Sequence, residues 1–153
     1  MPRRPPVALA LAALFAAGCA AQSSSSTTSQ GVNVASVDGV PIKALIACRN
    51  LKAQLPKAIT PGAELRQVAP VSDTTAAWGT PAITLRCGVP EGNSLDDPYT
   101  FNGVRWAQHD VGAARTWTTV GRRVNVVVEV PDAYSSQAEL IGSLATAITH
   151  SLS

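Results

Sequence analysis

Two cysteines limit the folds open to this chain more than any other feature. Cys48 falls in a stretch where Leu45, Cys48, Leu51 or Lys52, and Leu55 recur at helical spacing. Pro41 suits the first turn of that helix, and Pro56 stops it, which predicts a helix over about 42–55. Cys87 falls in Ile83-Thr84-Leu85-Arg86-Cys87-Gly88-Val89, which alternates along its whole length. Ile83, Leu85, Cys87 and Val89 share one face of that strand, and Thr84 and Arg86 share the other. Both sulfurs therefore sit on apolar faces that must meet in the core. In an oxidising compartment a disulfide is the default, closing a loop of about 40 residues. The chain-entropy model gives such a bridge about 4 kcal/mol. The alternative is two separate buried thiols.

The compartment is read from the start of the chain. Arg3 and Arg4 precede an apolar run from Val7 to Ala17, long enough for a secretory signal and too short to span a bilayer. Ala16-Ala17-Gly18-Cys19 follows, with small residues before a Cys as a lipoprotein signal peptidase requires. The usual Leu three positions before that Cys is Ala16 here. We read 1–18 as a lipoprotein signal and Cys19 as the acylated first residue of the mature chain. Two or more acyl chains give stable membrane attachment where one does not. Ordinary secretion, with a cut near Ala17 or Ala21, is the alternative. Residues 19–39, with their Ser/Thr-rich run from Ser23 to Ser29, read as a tether. Residues 40–153 read as a single folded domain.

Charge excludes one class of partner. The chain carries 12 Lys plus Arg and 10 Asp plus Glu. Both basic residues of the signal leave with it, so the mature chain is neutral by this count. A nucleic-acid partner, which calls for a large basic excess, is not expected.

Further strands are expected at Glu64–Val68, Arg115–Val120 and Arg123–Val130. Asn102-Gly103 and Gly121-Arg122 mark hairpin turns, and Pro90–Pro98 reads as a loop. Val124, Val126, Val128 and Val130 alternate with Arg123, Asn125 and Glu129. Ser136-Gln137-Ala138-Glu139 matches a capping box, and Leu140, Ile141, Leu144, Ala145, Ile148 and Leu152 mark a final amphipathic helix. The expected fold is α+β: a two-layer sandwich, with a mostly antiparallel sheet of four or five strands. An N-terminal and a C-terminal helix cover one face.

Several pieces together resemble an actinobacterial family of envelope lipoproteins catalogued as domain of unknown function 3515. They are Cys48 with Leu51 and Leu55-Pro56, Ala76-Ala77-Trp78-Gly79 with Pro81, and Leu85-Arg86-Cys87-Gly88-Val89. Asn102-Gly103-Val104 with Trp106, Gly121-Arg122 and Val130-Pro131 complete the set. Many relatives carry a further Cys before the Asn-Gly-Val piece, where this chain has Tyr99-Thr100-Phe101. The resemblance implies an envelope address and a core pattern, with no established activity. The genes of that family often lie near a D-alanine–D-alanine ligase gene, so the resemblance also implies cell-envelope work.

Candidate sites are few. Of Trp78, Trp106 and Trp117, core packing is the expectation for at least one, while Trp78, in a stretch that reads as a turn, could stack on a sugar or a packing partner. Arg86 and Arg123, near Asn125 on the polar faces of two strands, could clamp a carboxylate or phosphate. Glu129 could instead neutralise them. His109-Asp110 reads as a surface loop without nucleophile context, and His150 as a favourable charge at a helix C-terminus. Asp96-Asp97 reads as solvated turn residues, with too few oxygen ligands for calcium. No metal or cofactor motif is present, so none is expected. The expected function is a non-enzymatic, lipid-anchored module on the outer face of the cytoplasmic membrane. It would be held there through Cys19 and bind an envelope protein or a peptidoglycan component. A small hydrolase or transferase acting on cell-wall precursors would need Arg86, Arg123, His109 and Asp110 in one cleft. A structural spacer is the third reading.

Overall fold

A computed structural model describes residues 31–91 and 97–152. The readings made for 1–18, for Cys19, for the tether up to residue 30 and for Asp96 lie outside the described residues.

The chain enters through β1 (Val32–Asn33) and crosses to α1 (Ile42–Gln54). Strands β2 (Ala58–Thr60), β3 (Ala63–Arg66), β4 (Val68–Ala69), β5 (Thr75–Trp78) and β6 (Ile83–Val89) follow. Then come β7 (Tyr99–Phe101), β8 (Val104–Val111), β9 (Ala114–Thr119) and β10 (Asn125–Pro131), and last α2 (Gln137–Ser143) and α3 (Ala145–Ser151). Eight strands form one antiparallel sheet in the order β2-β3-β5-β6-β10-β9-β8-β7, while β1 and β4 pair in parallel as a small second sheet. The α+β class, the antiparallel pairing and the helical cover on one face agree with the sequence. The strand count exceeds the expected four or five. Among the described residues, β1 lies ahead of residue 40 and pairs with β4.

The core lies between the helices and one face of the sheet. Ile83, Leu85 and Cys87 of β6 and Val126, Val128 and Val130 of β10 point into it, each at most 2% exposed. Cys48 and Leu51 of α1 meet them from above, with Leu140, Ile141, Leu144 and Ile148 from the C-terminal helices. The Cys48–Cys87 disulfide joins the layers, with Cα atoms 5.7 Å apart. Besides packing on the sheet, α2 touches both edge strands, β2 and β7. The sheet therefore curves so that α2 meets both of its edge strands.

Local chemistry explains the turns. Asn102 (φ 47°) and Gly103 (φ 80°) both take left-handed backbone between β7 and β8, as a two-residue hairpin turn requires. The Asn102 side-chain amide then donates to the Gly142 carbonyl at 3.0 Å, fixing that hairpin against α2. The β8–β9 hairpin, which turns at Gly112-Ala113, was not expected. His109 and Asp110 consequently lie on β8 rather than in a loop. The expected final helix divides at Leu144 into α2 and α3. Ser136 is the N-cap residue of α2 but makes no side-chain cap bond, so the capping box does not form. Gln137 is buried instead and accepts a hydrogen bond from the Trp117 indole at 3.0 Å.

Candidate functional site

A notch in the sheet begins where β3 leaves its partner. β3 pairs with β5 at Leu65↔Trp78 and Arg66↔Ala77. Beyond Arg66 the chain turns away: the Gln67 carbonyl accepts from the Val32 amide, and Val68 and Ala69 pair with β1. Thr75 and Ala76 of β5 thereby lose β3 as a neighbour. The gap beside them has a volume of about 390 Å³ and is lined by Leu55, Leu65, Val68, Val71, Thr75 and Ala76, with Lys52, Arg66 and Gln67. That volume lies at the lower end of the range for ligand pockets, and apolar groups dominate the lining, as such pockets require.

Hydrogen bonds fix the rim. Arg66 Nη1 donates to the Gly79 carbonyl at 2.9 Å and to Thr80 Oγ1 at 3.1 Å. Lys52 Nζ donates to the Ser72 carbonyl, and Arg49 pairs with Asp73 at 2.8 Å. Those last two contacts hold the 71–73 segment along α1. Between them and β4 stands Val71, which is 92% exposed. Leu65 is also exposed. The Thr75 hydroxyl, beside the notch, is buried without a hydrogen-bond partner among the described residues.

The residues singled out in the sequence are placed differently. Trp78 does not lie in a turn. It ends β5, is fully buried, and donates its indole N–H to the Pro56 carbonyl at 2.9 Å. Trp106 and Trp117 are buried as well, so none of the three rings is offered for stacking. The physical reason is that β5 is covered on both faces: by the helices on one side and by the β1–β4 pair, through Val34 and Val68 against Ala77, on the other.

The arginine clamp is not assembled. Arg86 lies mid-β6, opposite Thr75 and Val127, and lines a depression of mixed polar and apolar character with Asp38, Val89, Glu91, His109 and Thr118. Arg123 precedes β10 and lines a separate depression with Arg105, Arg122 and Leu152. Asn125 does not share the exposed face with them. The β6–β10 register shifts between Asn125 and Val126, and the Asn125 side chain turns inward. There its Oδ1 accepts from Thr119 Oγ1 at 3.0 Å, and its amide donates to the Arg122 carbonyl. Glu129 is exposed on β10, opposite Thr84 and Thr116.

The four residues required by a hydrolase are likewise divided. Arg86 and His109 border one depression. Asp110, on the other side of its strand, accepts from Arg115 at 3.0 Å and from Gln108 at 2.8 Å. Arg123 is at the separate depression already described. Among the described residues no group of three or more His, Cys, Asp or Glu could hold a metal ion, and no helix is long and apolar enough to cross a membrane. Asp97 is exposed. His150, in the last turn of α3, contacts the Thr146 carbonyl through Nδ1 at 3.0 Å.

The notch was not visible in the sequence. Its only trace there is Val71, an apolar residue set among Pro70, Ser72 and Asp73 with no periodic partner.

A family model described as "Protein of unknown function (DUF3515)" matches residues 5–153, and the chain belongs to that family. No curated protein and no solved structure matched it.

Proposed function

We propose that the chain is a lipid-anchored accessory module of the cell envelope, held outside the cytoplasmic membrane through Cys19. It binds a partner protein through the notch between α1 and the β3–β5 edge. The observation that carries this reading is the notch itself: a surface cavity with apolar walls, beside the exposed side chains of Leu65 and Val71. Such a cavity suits an apolar side chain of another protein. A peptidoglycan sugar fits it less well, because sugar sites use exposed aromatic faces and the three Trp rings are in the core. The lipobox-like Ala16-Ala17-Gly18-Cys19 supports the anchor. The disulfide supports an oxidising compartment. The separation of Arg86 and His109 from Asp110 and Arg123 supports binding over catalysis.

The test is photo-crosslinking of the full chain in its native host, with a photoreactive amino acid at Leu65 and a control at Arg86. One dominant protein adduct at Leu65, missing from the Arg86 control, is the expected result. Adducts only with glycan or lipid, or the same adducts from both positions, would overturn the reading.

A further inference from the structure

Seven arginines lie among the described residues, and four of them have an evident counterpart. Arg49 pairs with Asp73 and Arg115 with Asp110. Arg66 donates to the Gly79 carbonyl and to Thr80, and Arg86 shares its depression with Asp38 and Glu91. The other three, Arg105, Arg122 and Arg123, line one depression of about 440 Å³ with Gly103, Gly121 and Leu152. Among the described residues no carboxylate lines it, and none of these three guanidinium groups forms an ion pair.

Two hairpins bring the three together. Val104 and Trp106 point into the core, so Arg105 between them stands on the opposite face of β8. The Val120 amide donates to the Arg105 carbonyl at 3.0 Å, which sets the end of β9 beside it. The chain then turns through Gly121 (φ 74°), Arg122 and Arg123 toward β10. A Cβ at Gly121 would lie 3.9 Å from Arg105 Nη1, so the Arg105 guanidinium reaches over that turn. Buried Asn125 holds the turn from inside, donating its amide to the Arg122 carbonyl at 3.3 Å. From outside, the Gly121 amide donates to Glu91, whose side chain belongs to the neighbouring depression of Arg86. The backbone that carries the cations is therefore fixed before any ligand arrives.

The arrangement calls for an anion. Acidic and basic residues nearly balance over the chain, yet three like charges gather here on one concave surface and repel one another. Each guanidinium offers a planar fork of donors. A carboxylate is satisfied by a single fork, whereas a phosphate monoester presents three strong acceptor oxygens and can be gripped from several sides.

We propose that the depression formed by Arg105, Arg122 and Arg123 binds a phosphate group, with the three guanidinium groups donating to its oxygens. This site lies on β8 to β10, apart from the notch at β3 and β5, and depends neither on the reading of the notch nor on the anchor. A soluble phosphate ester and a phospholipid headgroup share that chemistry, and the test separates them.

The test is an NMR titration of the isotope-labelled full chain with inorganic phosphate, with sodium chloride at matched ionic strength as the control for screening. The amides of Gly103 and Gly121, at the depression, should shift saturably with phosphate and not with chloride. Arg105→Gln, Arg122→Gln and Arg123→Gln should each weaken binding about tenfold or more. Arg123→Lys, which keeps the charge and loses the fork, should fall between wild type and Arg123→Gln. Arg86→Gln should leave binding unchanged, and thermal denaturation verifies that every variant folds. Equal binding by wild type and by the triple Gln variant, equal loss on Arg86→Gln, or equal shifts with chloride would overturn the proposal. Binding that appears only after deletion of Ser153 would give the three cations to that residue and overturn it as well. Titrations with glycerol phosphate and with dihexanoyl-phosphatidylglycerol then identify the source. Tighter binding of the lipid assigns a headgroup, tighter binding of the ester a soluble ligand, and the proposal stands on both.

Discussion

Trp78 donates its indole N–H to the carbonyl of Pro56 at 2.9 Å, tying the end of β5 to the residue that terminates α1. The same ring is fully buried in the core. Two contributions can therefore be separated. Trp78→Phe keeps an aromatic ring but loses the hydrogen bond, and should cost about 1 kcal/mol from the bond plus a smaller packing loss. Trp78→Ala should cost about 3–5 kcal/mol. Urea denaturation of both variants checks this. A Trp78→Ala cost under about 1 kcal/mol would contradict the buried placement.

The disulfide gives a second prediction. Cys48 and Cys87 are 39 positions apart and each is 1% exposed. Replacing both with Ala should lower stability by about 2–4 kcal/mol. Thermal melts with and without reductant provide the measurement. Oxidised wild-type chain should melt well above reduced chain, while the double variant should ignore the reductant.

Gly79 offers a sharper steric test. Its backbone is left-handed (φ 66°), and an added Cβ would collide with the Tyr134 hydroxyl and lie 3.1 Å from the Ala63 Cβ. That hydroxyl donates to the Pro81 carbonyl at 2.8 Å. Gly79→Ala should cost about 1–3 kcal/mol through strain. Combined with Tyr134→Phe, which removes the colliding atom, the loss should be smaller than the sum of the single changes. A double-mutant cycle reads that coupling.

Arg86 and Arg123 line separate depressions. Their alanine substitutions should therefore be additive within about 0.5 kcal/mol in chemical denaturation. Affinity for an added inorganic phosphate or carboxylate should not depend jointly on the two. A coupling above about 1 kcal/mol would restore the clamp.

These outcomes turn on which features the sequence could carry. The bounds of Ile83–Val89 were readable, because one face meets the core and the other does not, so its apolar positions alternate as far as Cys87; Val89, expected on the core face, is only partly buried and borders the depression beside Arg86. β5 was not. Thr75-Ala76-Ala77-Trp78 is buried at every position, which erases alternation, and the following Gly79 and Pro81 made the segment resemble a turn. Asn125 was misplaced for a different reason: side-chain parity is reliable only while register holds, and here it shifts beside that residue. In α1 the inner residues Cys48 and Leu51 were found because they repeat at helical spacing. Leu45 belongs to the same repeat, three positions before Cys48, yet it is exposed, because helical spacing alone does not say where the edge of the core falls. The notch arises from β3 parting from β5, a tertiary event without a local signature.

Everything proposed about location depends on Cys19. The most direct measurement is the mass of the N-terminal peptide of the chain isolated from host membranes. The account predicts a new N-terminus at Cys19 carrying a thioether-linked diacylglyceryl group. An unmodified N-terminus near Ala17 or Ala21, or an intact Met1 start, would contradict it.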